Sequence, residues 1–309
     1  MEFALSTHWN AARHASGEKL VEEILALGFK RLELGYDLRM ELVPGVQAMV
    51  RSGAVKVDSL HNFCPVPIGA ARGHPEIWTL AARDDRERES AIHHTTATLR
   101  FAAEIGARVV VTHAGNVEIP MISPRLFDLC IAGQQFTPAY EKLRTKLQDQ
   151  RDRKAPRQFE LLLRSLERLM PALDETGVTL AIENLPTWEA FPTEIEFEEI
   201  KRRFPSPRLR YWHDLGHGQI RQNLGFINHE RWLERLAPHL AGMHVHDVLP
   251  PATDHVMPPR GQIDFSRFQR FAVSDMVRVV EPSSRTPAAE VTEALAFLKQ
   301  TWGDPDRKR

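Results

Sequence analysis

Six short apolar runs in the chain stop on side chains able to ligate a metal or move a proton. Asp58-Ser59-Leu60 runs into His61, and Val110-Val111-Thr112 into His113. Ala181-Ile182 leads to Glu183 and Asn184, and Trp212 to His213, Asp214 and, three further on, His217. Met243 leads into His244, Val245, His246 and Asp247, and Val279-Val280 into Glu281. From Glu183 to Asp214 is 31 residues, from Asp214 to His244 is 30, and from His244 to Glu281 is 37. Each interval is about one strand plus one helix, which places the four side chains on neighbouring strands at one end of a sheet. Three carboxylates ending apolar strands repel one another unless a cation or counter-charge lies between them. Two Glu, one Asp and one His form a mixed oxygen and nitrogen set, the chemistry of one Mn2+, Mg2+, Co2+ or Zn2+ ion and not of a soft thiolate site. Side chains alternate along a strand, so His244 and His246 share a face and either qualifies as the nitrogen donor.

Eight β-rich runs position these groups: 3–7, 31–35, 55–60, 108–112, 178–183, 209–213, 241–246 and 277–281. Helical patterns lie between them. Phe159, Leu162, Leu163, Leu166, Leu169, Met170 and Leu173 fall on one helical face, and Gly177 stops the pattern just before a strand. The stretch 87–106, with Ile92, Leu99, Ala103 and Gly106, behaves likewise, as does 17–27, which stops at Gly28. Eight βα units predict an α/β chain folded as one (β/α)8 TIM barrel over 1–303, with a frayed tail at 304–309. The competing fold is an open doubly wound sheet. No GxGxxG follows the first strand, and no GxxxxGK[ST] occurs anywhere. A barrel of this type builds its active site at the carboxy-terminal strand ends, where the six runs stop. In the polar stretch 116–157, the charged part 140–154 reads as a helix lying over the site or against a neighbour.

The 309 residues carry 40 Lys+Arg against 41 Asp+Glu, a formal net charge of −1. Bulk charge therefore holds the chain to neither nucleic acid nor an anionic membrane. Cys64 and Cys130 form no CxxC and no disulfide framework, which predicts a reducing, cytoplasmic setting. The first ten residues lack a basic segment followed by an apolar one, so no signal peptide is read. No window approaches 18 consecutive apolar residues. Fourteen histidines are the compositional oddity. Seven of them, His8, His61, His113, His217, His244, His246 and His255, fall at or just beyond strand ends.

The ordered set 181–186 (AIENLP), 213–218 (HDLGHG), 243–248 (MHVHDV), 255–264 (HVMPPRGQID) and 279–283 (VVEPS) resembles the xylose isomerase-like TIM barrel superfamily. Glu33, His61 and His113 extend the match into the first half. That superfamily includes sugar phosphate isomerases and epimerases, inosose dehydratases, and the endonuclease IV type of DNA-repair enzyme (AP endonuclease family 2). The resemblance implies a divalent-metal site on Glu183, Asp214, His244 and Glu281. It favours His244 over His246, because the ligand there stands three before an acidic residue, here Asp247. It also implies that Glu183 and Glu281 flank the substrate and shuttle a proton through an enediolate.

The expected activity is isomerisation or epimerisation of a sugar or related polyol. Elimination from a keto-sugar or inosose is the neighbouring alternative. Substrate contacts are expected from His217, His61, His113, His246, His255, Arg260, Glu33, Asn184 and His8. Each has a plainer reading. Glu33 would serve equally as a buried ion-pair partner, Arg260 as an exposed loop arginine, and Asn184 as a group that merely orients Glu183. Trp9 is pocket wall or simply core, and His93 and His94 are helix surface. The third alternative is an endonuclease IV-like phosphodiester hydrolase, for which His61, His113, Glu183, Asp214, His217, His244, His255 and Glu281 supply much of a larger ligand set. Against it, Thr253 stands where that branch places an aspartate, with Asp254 one position off. Glu33 and the near-zero net charge also disfavour a phosphate-rich partner. A homo-oligomer is compatible with the resemblance, and no membrane partner is expected.

Overall fold

In a computed structural model, which describes residues 1–273 and 275–303, eight parallel strands close into a barrel. The expected tail lies outside the described residues. The barrel strands are β1 (Ala4–Ser6), β2 (Arg31–Leu34), β3 (Lys56–His61), β4 (Val109–Thr112), β5 (Thr179–Glu183), β6 (Leu209–Asp214), β7 (Leu240–Val245) and β10 (Val277–Val280). They follow one another around the barrel in chain order, and β10 closes it against β1. This is the (β/α)8 architecture, and all eight expected runs form its staves.

The described helices are α1 (Gly17–Ala26), α2 (Val43–Arg51), α3 (Asp85–Ile105), α4 (Ser123–Ile131), α5 (Pro138–Thr176), α6 (Glu194–Arg203), α7 (Leu215–Asn223), α8 (His229–Leu236) and α9 (Ala288–Trp302). None is long and apolar enough to cross a membrane. Their starts follow local capping chemistry: Ser16, Asp84 and Thr137 accept backbone N–H groups, and Thr193 with Glu196 forms a capping box. The core has two layers. Ala4, Val109, Val111, Ala181, Trp212, Ala241, Val277 and Val279 fill the barrel, and a larger cluster joins sheet to helices. Each fully buried Val, Leu or Ile contributes about 1.5–3 kcal/mol.

Two elements depart from expectation. The helices expected at 140–154 and around 159–173 are one 39-residue helix, α5. Its apolar stripe runs unbroken from Tyr140 through Leu147, Ala155 and Phe159 to Leu173, while Pro156 and Pro171 face solvent. Water can take the carbonyls that each proline releases, so the helix continues. Its first half does not lie free over the mouth. Arg151 donates to the carbonyls of Trp188 and Ala190 and pairs with Glu196, which fastens α5 to the loop after β5. The second departure is a small antiparallel hairpin, β8 (Asp247–Leu249) with β9 (Thr253–Val256), in the loop after β7. Asp247 anchors that loop by accepting the backbone N–H groups of Val248, Gly261 and Ile263.

Candidate active site

Register brings the carboxy-terminal side chains to one level: Glu183 pairs with Trp212, Asp214 with His244, and His244 with Val279. His244 is the hub. Its Nδ1 lies 2.8 Å from Glu183 Oε1, 3.3 Å from Glu281 Oε2 and 3.7 Å from Asp214 Oδ2. Its Nε2 lies 3.1 and 3.2 Å from the two oxygens of Glu33. A carboxylate cannot donate, so Nε2 carries a proton toward Glu33 and Nδ1 faces the other three carboxylates. Ser59 donates to Glu33 at 2.8 Å, and Glu33 is fully buried. Glu33 therefore orients His244 from a fully buried position, the ion-pair role that the sequence also allowed. Ordinary strand alternation accounts for its inward aim.

His246 has a different task. Its Nδ1 accepts the backbone N–H of His255 at 3.0 Å, so its Nε2–H donates to Asp214 Oδ2 at 3.0 Å. Of the two same-face histidines, only His244 turns a ring nitrogen toward all three carboxylates. His61 and His113 approach Glu183 Oε2 through Nε2 at 3.3 and 3.2 Å, and the His61 ring stacks on His244. His217 donates from Nδ1 to the Asn184 carbonyl at 2.9 Å, which leaves Nε2 as a free acceptor. His255, held at φ 51 in β9, likewise donates from Nδ1 to the Glu281 carbonyl at 3.1 Å. Asn184, expected to contact substrate or to orient Glu183, faces Asp214. Both of its amide atoms bond the backbone of Asp214.

Burial opposes ionisation of Glu183, but His244, His113 and His61 outweigh it and hold its carboxyl well below the usual range. Asp214 and Glu281 are lowered in the same sense, against burial, by His217 and His246 and by His244 and His255 respectively. Burial opposes protonation of the imidazoles, yet the carboxylates win: Glu281, Glu33 and Glu183 raise His244 well above its ordinary value. Glu183 and Glu76 raise His113 to about 9. The mouth is a dense set of acids faced by imidazoles, of which His244 and His113 favour the protonated form.

The rim on the first-half side includes residues that sequence reading passed over. His8 donates from Nδ1 to Asp37 Oδ2 at 3.1 Å and accepts at Nε2 from the Tyr36 hydroxyl at 3.4 Å. Tyr36 packs edge-on to His61. Glu76 lies 3.5 Å from His113 Nδ1. Tyr36 and Asp37 directly follow a strand, a signal that was available; Glu76 sits in a long loop and had none. Asp254, on β9, lies 4.0 Å from His217 Nε2. Two expected contributors lie elsewhere. Trp9 is buried and donates to the Thr286 carbonyl. Arg260 is exposed and paired with Glu290 and Glu293 of α9, so it is not part of this cluster. His93 is exposed, as expected, whereas His94 is half-buried and stacks on Trp78.

Could this set hold a cation? Among the described residues, five groups of three His, Asp or Glu donors have ligand atoms within 4.8 Å of one another, and all five lie at this mouth. One is Glu183, Asp214 and His244, and another is Glu33, His244 and Glu281. Anionic oxygens and an oriented imidazole nitrogen meet in a buried site whose charge otherwise depends on imidazolium protons. The donor chemistry fits a hard or borderline divalent ion.

Comparison with known proteins agrees with this architecture. The uncharacterised protein MJ1614 of Methanocaldococcus jannaschii is 24% identical over 249 residues, covering 80% of this chain and 78% of that one. A D-tagatose 3-epimerase-like protein superposes with a TM-score of 0.71 at 16% identity, over 100% of this chain and 99% of the other. The apo 3-keto-D-glucoside 4-epimerase of E. coli gives 0.66 at 14%, over 97% and 99%. Residues 21–301 match the family described as xylose isomerase-like TIM barrel. The barrel, the ordered strand-end motifs and this match together place the chain in the xylose isomerase-like TIM barrel family.

Proposed function

We propose that the chain is a divalent-metal-dependent isomerase or epimerase of a sugar or related polyol. The observation that carries this reading is the convergence of Glu183, Asp214 and Glu281 on His244 Nδ1, with the opposite nitrogen fixed by Glu33. Glu183, Asp214, His244 and Glu281 would hold the cation. When bound there, such an ion would supply the Lewis acidity that polarises a carbonyl and hydroxyl pair and acidifies the adjacent C–H. One of Glu183 and Glu281, ionised, takes that proton; the other, carrying a proton, returns one to the opposite face in epimerisation, whereas in isomerisation the first returns its proton to the neighbouring carbon. His217 and His255, each with Nε2 left as an acceptor, and the Tyr36–His8 pair at the rim recognise hydroxyl groups. The sugar epimerases among the similar folds support the substrate class.

The test is exchange of solvent deuterium into a panel of ketoses and inososes, with metal content measured on the same protein. One divalent ion per chain and exchange into at least one member are expected. Loss of a hydroxyl group in place of exchange would assign the neighbouring lyase chemistry. A second reading rests on the His61, His113 and Glu183 group and the His217, His246 and His255 group, which give donors for more than one ion. Three zinc ions per chain with nicking of abasic-site DNA would replace the sugar enzyme by a phosphodiester hydrolase.

A further inference from the structure

Behind Asp214 runs a chain of hydrogen bonds whose direction can be deduced one proton at a time. The Asp214 backbone N–H donates to Asn184 Oδ1 at 2.8 Å, and Asn184 Nδ2 donates to the Asp214 carbonyl at 3.0 Å. A backbone N–H can only donate, so the orientation of the Asn184 amide is fixed. The Tyr211 hydroxyl lies 3.0 Å from the same Oδ1 and must donate to it. That uses its one proton, so its oxygen accepts from His213 Nδ1–H at 2.8 Å. Neutral His213 then has a lone pair on Nε2, which accepts from His229 Nε2–H at 2.8 Å. The far nitrogen, His229 Nδ1, is buried without a partner, as a terminal acceptor should be. On the other side, the Asn184 carbonyl takes His217 Nδ1–H.

All six residues are buried. Of the two glycines of the HDLGHG motif, Gly218 makes room for this chain and Gly216 for the neighbouring His246. A Cβ at Gly218 would collide with the His229 ring, and one at Gly216 with the His246 ring. The motif therefore builds a polarised chain as well as supplying Asp214 and His217.

We propose that the relay His229–His213–Tyr211–Asn184 positions Asp214 and His217 for cation and substrate, with Tyr211 as its central positioning residue. Tyr211 holds the side-chain amide of Asn184, which clamps the Asp214 main chain, while the main-chain carbonyl of the same Asn184 aims the His217 ring. The relay acts through these two residues and touches no reacting atom. It rests on the reading of Asp214 as a cation donor.

Two measurements on the full chain test it. Ring-nitrogen NMR of 15N-histidine-labelled protein, assigned with His213→Gln and His229→Gln, should show Nδ1–H at His213 and at His217, and Nε2–H at His229. The opposite tautomer at His213 in the wild-type chain overturns the relay. Titration with Mn2+ alone should show roughly tenfold or more weaker binding by Tyr211→Phe, as expected when a group orienting a ligand is lost. The His213 tautomer signal should change in the same variant while circular dichroism does not. Unchanged Mn2+ affinity in Tyr211→Phe overturns the relay alone. A wild-type chain that takes up no Mn2+ overturns the metal reading beneath it.

Discussion

Buried acids occur at both ends of this barrel, and they are neutralised differently. Toward the amino-terminal ends of the strands, Asp58 of β3 is buried against the guanidinium of Arg31, which also pairs with Glu2. At the carboxy-terminal ends, the ion-pair partners of Glu33, Glu183, Asp214 and Glu281 are imidazoles. An arginine keeps its charge at every accessible pH and grips a carboxylate through a rigid fork. An imidazolium gives up its proton near neutrality and can then ligate a cation. The first arrangement locks a strand pair. The second leaves a site whose charge can be supplied by protons or by a metal. The difference in counter-ion, more than the presence of buried carboxylates, marks which end does chemistry.

The most severe way to break this contrast is at Glu183. Glu183→Gln should reduce turnover of any responsive ketose by about 10³-fold or more, within the range for loss of a general acid–base group, while circular dichroism is unchanged. Retained turnover in both this variant and Glu281→Gln would sink the assigned roles. At the other end, Asp58→Asn should lower unfolding stability by about 2–3 kcal/mol, because it leaves Arg31 without its buried partner. Mn2+ uptake should not change. Denaturant melts with parallel calorimetric titration would contradict the contrast if the two effects exchanged places.

The pH response of the chelator-treated chain sharpens it further. Burial disfavours charge on His113, but Glu183 and Glu76 raise it from 6.5 to about 9. A raised folded-state value stabilises fully below the unfolded value and is lost as pH rises through the folded one. Thermal melts should therefore show falling stability from about pH 6.5 through about 9, and saturating Mn2+ should flatten the decline. The Arg31 guanidinium, raised further by Asp58, keeps its charge throughout that window. A chelated chain whose melting temperature is level across it would show that the His113 imidazole is not charged.

The smallest expected effect lies at the rim. Tyr36→Phe removes one hydroxyl of the Asp37–His8–Tyr36 chain and should raise KM severalfold at nearly constant kcat, roughly 1 kcal/mol of binding. Steady-state kinetics on the best substrate of the panel would decide it, and an equal fall in kcat would move Tyr36 into the reacting centre.

Much of this site was legible because a parallel barrel converts sequence spacing into angular position. Glu183, Asp214, His244 and Glu281 recur one βα unit apart, and hydrogen-bonded register between neighbouring strands leaves them little choice of level. The strand ends also marked His61, His113 and His217. Residues off the staves were harder. Arg260 stands in a motif-bearing loop but pairs with α9, since nothing in a loop's sequence states which way its tip folds. Glu76 comes from the long segment between β3 and α3, where no periodicity links residue number to direction.

By itself the sequence determined the (β/α)8 class, the stave order and the type of chemistry at the mouth. These follow from local hydrophobic periods and from the chemical identity of the strand-terminal side chains. Tertiary structure alone decided which atoms do what. The separation of His244 from His246 depends on Glu33, 211 residues away from His244, and on the backbone of His255 in the hairpin. The reassignment of Asn184 depends on Asp214 and Tyr211 across a strand boundary. Proton positions are set by which donors and acceptors meet in three dimensions. Sequence period fixes the face a side chain occupies but not the partner it finds there.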